Sequence, residues 1–303
     1  MSSSATGTMS TVPRAFVHKT AESEVLLTGW RPAGPGAFVV TARWPVTHDF
    51  YGPRHGLHDP LLLAESVRQT VPLLSHAAFD VPFGDRQSWS DLRFALDPAA
   101  LAAGPGPAEV ELRIACSDVV RRSGRLVSVA MDVDVVRAGV RLGRARTGFA
   151  NHRPAVYRRL RGRYANLAEA VSRTVPLAPP TAPCRAGRER FADVVLSPTH
   201  ARDVHQLRID LFHPALFDHL VDHAPGMLLL EAARQAAHAA AYPQRIVPVA
   251  MDVTFTAYAE LDAPCWILTD RLPADRAGRR RVLVSAVQNE ACVFSSVVTL
   301  ERI

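Results

Sequence analysis

Two stretches of the chain carry glutamate, arginine and glutamine at one spacing: Glu65, Arg68 and Gln69 in the first half, Glu231, Arg234 and Gln235 in the second. Residues three and four apart share one face of a helix, so each set would present a carboxylate, a guanidinium and an amide side by side. Residues 61–64 and 227–230, just before each set, are apolar, which starts both helices in a core. On an exposed helix such a Glu–Arg pair is a surface salt bridge worth ~0.2–0.5 kcal/mol. In a core it needs another reason, because buried ion pairs are a poor source of net stability. Facing a cleft, the same groups make a reactive site. Histidines precede both sets, His58 in the first and His219 and His223 in the second, with Asp218 and Asp222 beside the latter pair. Nitrogen and carboxylate ligands are thus at hand, but the spacing supplies no third metal ligand, so no metal is expected.

The two sets belong to a longer internal repeat. His58-Asp-Pro-Leu-Leu-Leu-Ala-Glu65-Ser-Val-Arg68-Gln69 and His223-Ala-Pro-Gly-Met-Leu-Leu-Leu-Glu231-Ala-Ala-Arg234-Gln235 align with one single-residue gap, and repetition of this kind implies two copies of one structural unit. Short segments rich in Val, Leu and aromatics, at 24–30 and 37–44 before the first motif, predict strands. After it come 89–96, 110–120, 126–136 and 140–149, where Val127, Val129, Met131, Val133 and Val135 alternate with Ser128, Ala130, Asp132 and Asp134, the period of a half-buried strand. The second motif is followed by 249–258, 265–270, 282–288 and 292–300 in the same pattern. Each half is therefore expected to wrap an antiparallel sheet around one long helix. That is a tandem double hotdog of the α+β class, its two sheets continuous across a pseudo-dimer. The expected divisions are a disordered N-terminus over 1–15, a first hotdog over 16–150, an Arg/Pro-rich linker over 151–190 containing Pro176, Pro179, Pro180 and Pro183, and a second hotdog over 191–303.

Composition narrows the class. The 303 residues, 48% hydrophobic and 21% charged, suffice for about two domains with substantial cores. No apolar run reaches the ~18–20 residues of a membrane span, and the Ser/Thr-rich start has no apolar signal region. Four cysteines without paired spacing argue against a zinc knuckle or disulfide framework. A cytoplasmic protein with no membrane association is expected. The formal charge is +6, and Lys19 is the only lysine. From Arg137 to Arg163 lie nine arginines with no Asp or Glu among them, read either as a solvated connector or as a dock for an acidic partner. Without a recognition helix, zinc finger or aromatic-interleaved motif beside them, nucleic acid is not the expected partner.

Pro225-Gly-Met-Leu-Leu-Leu-Glu231-Ala-Ala-Arg-Gln235 is similar to the helix motif of hotdog 3-hydroxyacyl-carrier-protein dehydratases, except that Arg234 replaces a small or apolar residue and the histidine environment is Asp218-His219-Leu-Val-Asp222-His223. The whole chain resembles more closely the AfsA-type A-factor biosynthesis family, the γ-butyrolactone synthases of actinomycetes. The resemblance rests on Val17-His-Lys19, Glu24 to Trp30, Trp44-Pro45, His48-Asp-Phe-Tyr51, Asp59 to Gln69, Phe217-Asp-His219 and Asp222 to Gln235. It spans residues 16–150 and 190–302.

The resemblance implies transfer of a β-ketoacyl chain from an acyl carrier protein to the hydroxyl of dihydroxyacetone phosphate, the ester then condensing towards a phosphorylated butenolide. On that footing a thioester carbonyl over the start of the second helix would be polarised by free N–H groups and the helix dipole, and Asp222 could cap that helix. Glu231, or else His219 or His223, would serve as general base. Arg234 would clamp the phosphate, Gln235 would orient Glu231 or the substrate, and Met227 would line an apolar acyl tunnel. Glu65, Arg68, Gln69 and His58 would form a second site or complete a shared one. Arg158, Arg159, Arg161 and Arg163 would dock the carrier protein. No cofactor is implied, and a double hotdog can be complete as a monomer or pair again as a homodimer. The alternatives are a carrier-protein thioesterase or dehydratase, and a non-catalytic acyl-binding protein.

Overall fold

The computed structural model describes residues 11–303. In chain order the first half comprises β1 (Leu27–Gly34), β2 (Ala37–Trp44), α1 (Leu61–Ala77), β3 (Arg86–Leu96), β4 (Ala108–Arg122), β5 (Arg125–Arg137) and β6 (Val140–His152). Two short helices follow, α2 (Pro154–Arg161) and α3 (Leu167–Ser172). The second half comprises β7 (Leu196–Pro198), β8 (Val204–Leu207), α4 (Gly226–Ala241), β9 (Ile246–Phe255), β10 (Trp266–Leu272), β11 (Arg280–Gln288) and β12 (Ala291–Arg302).

All twelve strands form one antiparallel sheet, ordered β1-β2-β4-β5-β6-β3-β9-β12-β11-β10-β8-β7. The halves meet where β3 pairs with β9, Leu92 opposite Val253 and Phe94 opposite Met251. All four of these side chains are buried. Alternation on β5 buries Val129, Met131, Val133 and Val135 and exposes Asp132 and Asp134, one face to the core and one to water. Both long helices are buried almost all round, as a helix must be when a sheet curls about it. This is the tandem double hotdog of the α+β class, with the continuous sheet expected from the repeat.

Several expectations need adjustment. The first strand begins at Leu27, because Glu24 lies in a 3-10 turn. The second half has its own leading pair, β7 and β8, too short and proline-bounded to show as a period-two pattern. Of the expected disordered N-terminus, residues 1–10 lie outside the described residues. Residues 11–15 are ordered, since the Val12 N–H donates to the Leu27 carbonyl (3.0 Å) and Val12 is buried.

The arginine-rich stretch is not one connector. Arg141, Arg144 and Arg146 lie on β6, where cross-strand register sets Arg144 against Asp134 and Arg146 against Asp132. The acids missing from the local sequence arrive from β5. Nor is the linker loose: Val175 N–H donates to the Leu261 carbonyl and Thr181 N–H to that of Leu196, which ties it to the second half. Arg161, expected to dock a carrier, is buried. Its guanidinium binds Glu260 (2.6 and 2.7 Å) and Asp222 (3.3 Å) and stacks over Tyr258 at 4.0 Å. It anchors α2, whereas Arg158, Arg159 and Arg163 are exposed.

Arg161→Ala leaves the Asp222 and Glu260 carboxylates without their buried counter-charge and should cost about 3–5 kcal/mol in chemical denaturation. Arg158→Ala should change stability by no more than about 0.5 kcal/mol. Equal effects for the two would contradict this placement.

Candidate active site

Each central helix carries one buried carboxylate, and the two are held alike. On α1, Arg68 forks onto Glu65 through two hydrogen bonds of 2.9 Å. On α4, Arg234 forks onto Glu231 at 2.8 and 2.6 Å. Gln69 donates to Glu65 (2.8 Å) and to the Glu24 carbonyl (2.7 Å) while accepting from Leu26 N–H (2.9 Å). Gln235 repeats this on Glu231 (2.5 Å), the Asp193 carbonyl (2.7 Å) and Val195 N–H (2.9 Å). A third cation completes each cluster, Lys19 at 3.1 Å from Glu65 and Arg188 at 2.8 Å from both Glu231 oxygens. Full pairing is what allows a carboxylate to sit in a core at all.

Loops cross from each half to the other's cluster. Arg188 donates to the Phe50 carbonyl (2.7 Å) and its guanidinium lies 3.9 Å over the Phe50 ring. Arg54 donates to the Gly187 carbonyl (3.2 Å). In return, Asp218 accepts from Thr20 N–H (2.6 Å) and Ala21 N–H (3.0 Å), next to Lys19. Gly187 has a φ of +63° and faces His238, whose ring lies 2.5 Å from where a Cβ would stand, so only glycine fits there. The clusters differ in access: the Arg68 side chain is 23% exposed and the Arg234 side chain 4%.

The family model of the A-factor biosynthesis hotdog domain (AfsA) matches residues 1–150 and 171–301 of this chain. The chain belongs to this family. Among its relatives, the 2-oxo-3-(phosphooxy)propyl 3-oxoalkanoate synthase of Streptomyces virginiae is 44% identical over 291 residues, covering 95% of this chain and 97% of the relative. The synthases of that name from Streptomyces coelicolor and Streptomyces griseus are 41% and 39% identical, covering 95% of this chain and 91% and 94% of theirs. Solved structures share the fold at low identity. The pyran synthase domain from module nine of the sorangicin pathway has a TM-score of 0.53 at 13% identity, covering 92% of this chain and 98% of that one. The 12:0-ACP thioesterase from Umbellularia californica has a TM-score of 0.51 at 9% identity, covering 88% and 94%.

In this AfsA-family chain His219 and His223 are held by partners other than Glu231. His219, 41% exposed by side chain, pairs with Asp218 (3.3 Å), whose carboxylate is also held by the first half's Thr20 and Ala21 N–H groups. His223 pairs with Asp222 (2.7 Å) and packs on Tyr258. Asp222 does not cap α4, because its carboxylate is taken by Tyr157, Arg161 and His223. His58 is fully buried, edge-on to Trp44, and neither ring nitrogen finds a hydrogen-bond partner, Glu65 included. Met227 is buried in the core, and Gly226 abuts the stacked Trp89 and Phe255 rings at the start of α4.

Lys19 and Arg188 were not expected at the site, although Lys19 closes the Val17-His-Lys19 motif. A signal existed: each precedes the residue gripped by the glutamine, Leu26 or Val195, by one common interval. It was masked because one cation is a lysine, the other an arginine, and neither lies near the helix motif.

Burial pushes the Glu65 carboxyl up, but Arg68, Lys19 and the hydrogen bonds outweigh it and bring it from the usual 4.5 down to about 2. The same balance, with Arg188 and Arg234, holds Glu231 well below the carboxylate range. Carboxylates so clamped are anchors for their cations and poor proton acceptors.

Because both folded-state pKa values are depressed, the stability they contribute is complete above about pH 4.5 and lost as pH falls towards 2. Stability measured across that window should fall less steeply in Glu65→Gln than in the parent chain, and an identical slope would contradict the assignment. Glu231→Ala, which strands two buried guanidiniums, should lower stability by about 3–5 kcal/mol. A variant as stable as the parent would refute the pairing.

Proposed function

We propose that this chain transfers a β-ketoacyl group from an acyl carrier protein to a hydroxyl of dihydroxyacetone phosphate, forming a 2-oxo-3-(phosphooxy)propyl 3-oxoalkanoate. The observation that carries this reading is similarity over 95% of the chain to synthases named for that product. The hydroxyl oxygen bonds to the thioester carbonyl carbon, the carbon–sulfur bond breaks, and the hydroxyl proton ends on the carrier's thiol. The ester's activated methylene then allows intramolecular condensation towards a phosphorylated butenolide.

The mouth of the first cluster suits the phosphate alcohol. Arg68 is its solvent-reaching guanidinium, fixed by Glu65 and by the Val17 carbonyl (3.3 Å), and a planar fork binds phosphate well. His219, oriented through Nδ1 by Asp218, offers its other nitrogen as proton acceptor, and His223, held likewise by Asp222, is the alternative. Glu231, Arg234 and Gln235 are then the frame of the second half of a shared site, with Glu65 and Gln69 the frame of the first. Met227 fits the wall of an acyl passage, being apolar and at the start of α4.

The carrier meets α2. Val156 and Leu160 are exposed there at 47% and 62%, beside exposed Arg158, Arg159 and Arg163. An acidic carrier surface complements such a basic and apolar patch.

Mass spectrometry of a β-ketoacyl carrier protein with this chain should show the phosphorylated ester only when dihydroxyacetone phosphate is added. Free β-keto acid with or without it would make the chain a thioesterase, and an intact thioester would refute turnover. Arg158→Glu with Arg159→Glu should lower kcat/KM for the carrier-bound substrate at least about tenfold, a loss of some 1.4 kcal/mol, and leave the rate with a pantetheine thioester unchanged. Equal loss with both substrates would exclude docking at α2.

A further inference from the structure

The turn that joins the two carboxylate clusters carries a polar group that neither uses. His48 accepts at Nδ1 from the N–H groups of Phe50 and Tyr51 (both 3.1 Å), and its Nε2 reaches Glu24 (3.3 Å). Glu24 lies 3.9 Å from Lys19, the cation on Glu65. Two residues after His48, the Phe50 carbonyl holds Arg188, the cation on Glu231. Tyr51 follows, packed between the rings of His48 (5.2 Å) and Phe50 (4.8 Å) and only 1% exposed. Its hydroxyl has no hydrogen-bond partner. Such a buried donor is costly to leave unmet.

The duplication shows that the fold does not require this hydroxyl. In the second half His213 makes the same turn, accepting at Nδ1 from Ala215 and Leu216 N–H (3.3 and 3.1 Å). Leu216 therefore occupies the place of Tyr51, buried and wholly apolar. One half spends a phenol where the other packs an aliphatic side chain.

We propose that the Tyr51 hydroxyl donates a hydrogen bond to a carbonyl oxygen of the substrate, in one interior site shared by the two halves. Near it the cations Lys19 and Arg68 are paired with Glu65, and Arg188 and Arg234 with Glu231, so the position suits a neutral carbonyl whose oxygen gains charge during attack better than a fully charged group. Burial, together with Glu65, Asp59, Glu231 and Glu24, raises the phenol's pKa well above its usual value, so it stays protonated and remains a donor. Entry is past Arg68, the one of these four cations with a substantially exposed side chain. The inference rests on the acyl-transfer reading for the carbonyl's source: the thioester, the β-ketone, or the ketone of dihydroxyacetone phosphate.

Infrared difference spectra of the full chain, with a β-ketoacyl pantetheine thioester labelled with ¹³C at either carbonyl, or with dihydroxyacetone phosphate labelled at its ketone, separate these sources. One labelled band should lie at lower wavenumber in the parent than in Tyr51→Phe. That variant should transfer on the order of 10²-fold more slowly and melt no earlier than the parent. Identical bands and rates in both proteins would overturn the proposal, as would early melting of Tyr51→Phe, which would make the hydroxyl structural. If no labelled compound binds the parent, this inference and the acyl-transfer reading fall together. A hydroxyl-dependent band without transfer would sink only the transfer reading.

Discussion

Two carboxylates placed inside the core impose their demands on much of the surrounding chain. Glu65 and Glu231 lie on helices that a sheet encloses nearly completely, and an ionised group there is tolerated only when cations and hydrogen-bond donors replace water. Each glutamate therefore recruits an arginine from its own helix, a glutamine one turn on, and a cation from the segment preceding the first strand of its half. The glutamine transmits the constraint further by clamping that segment's backbone from both sides. Helix, strand entry and cation loop are locked together by one charge.

The duplicated halves satisfy this constraint reciprocally. Loop 48–54 reaches Arg188 and Gly187 of the second half, and Asp218 reaches Thr20 and Ala21 of the first. The β3–β9 pairing makes this possible by merging two sheets into one, so the two clusters lie close enough for a single turn to touch both.

Against that symmetry the two halves differ at a few positions. Arg68 reaches solvent while Arg234 is sealed, Lys19 stands where the other half has Arg188, and Tyr51 stands where it has Leu216. The pattern is that of one cluster open at Arg68 and one closed at Arg234. The fuller Pro-Gly-Met stretch precedes the closed cluster at Glu231, because a motif registers helix chemistry and not access.

Local and periodic features were legible in the sequence because they depend on neighbours along the chain. The repeated Glu-x-x-Arg-Gln spacing placed three side chains on one face, alternation on residues 126–136 announced a half-buried strand, and the order of elements led to two sheets around two helices. The family likeness, too, was carried by contiguous motifs. What only the tertiary structure decided was every relation formed at long range: Lys19 and Arg188 as the third members of the clusters, Asp132 and Asp134 as partners of arginines that looked unpaired, Arg161 as a buried anchor, and Asp218 delivered to the half opposite its own helix. Each depends on strand register or on a loop crossing between halves. Burial then set the chemistry of Glu65 and Glu231, because the same carboxylate is a base in a wet cleft and a counter-ion between guanidiniums.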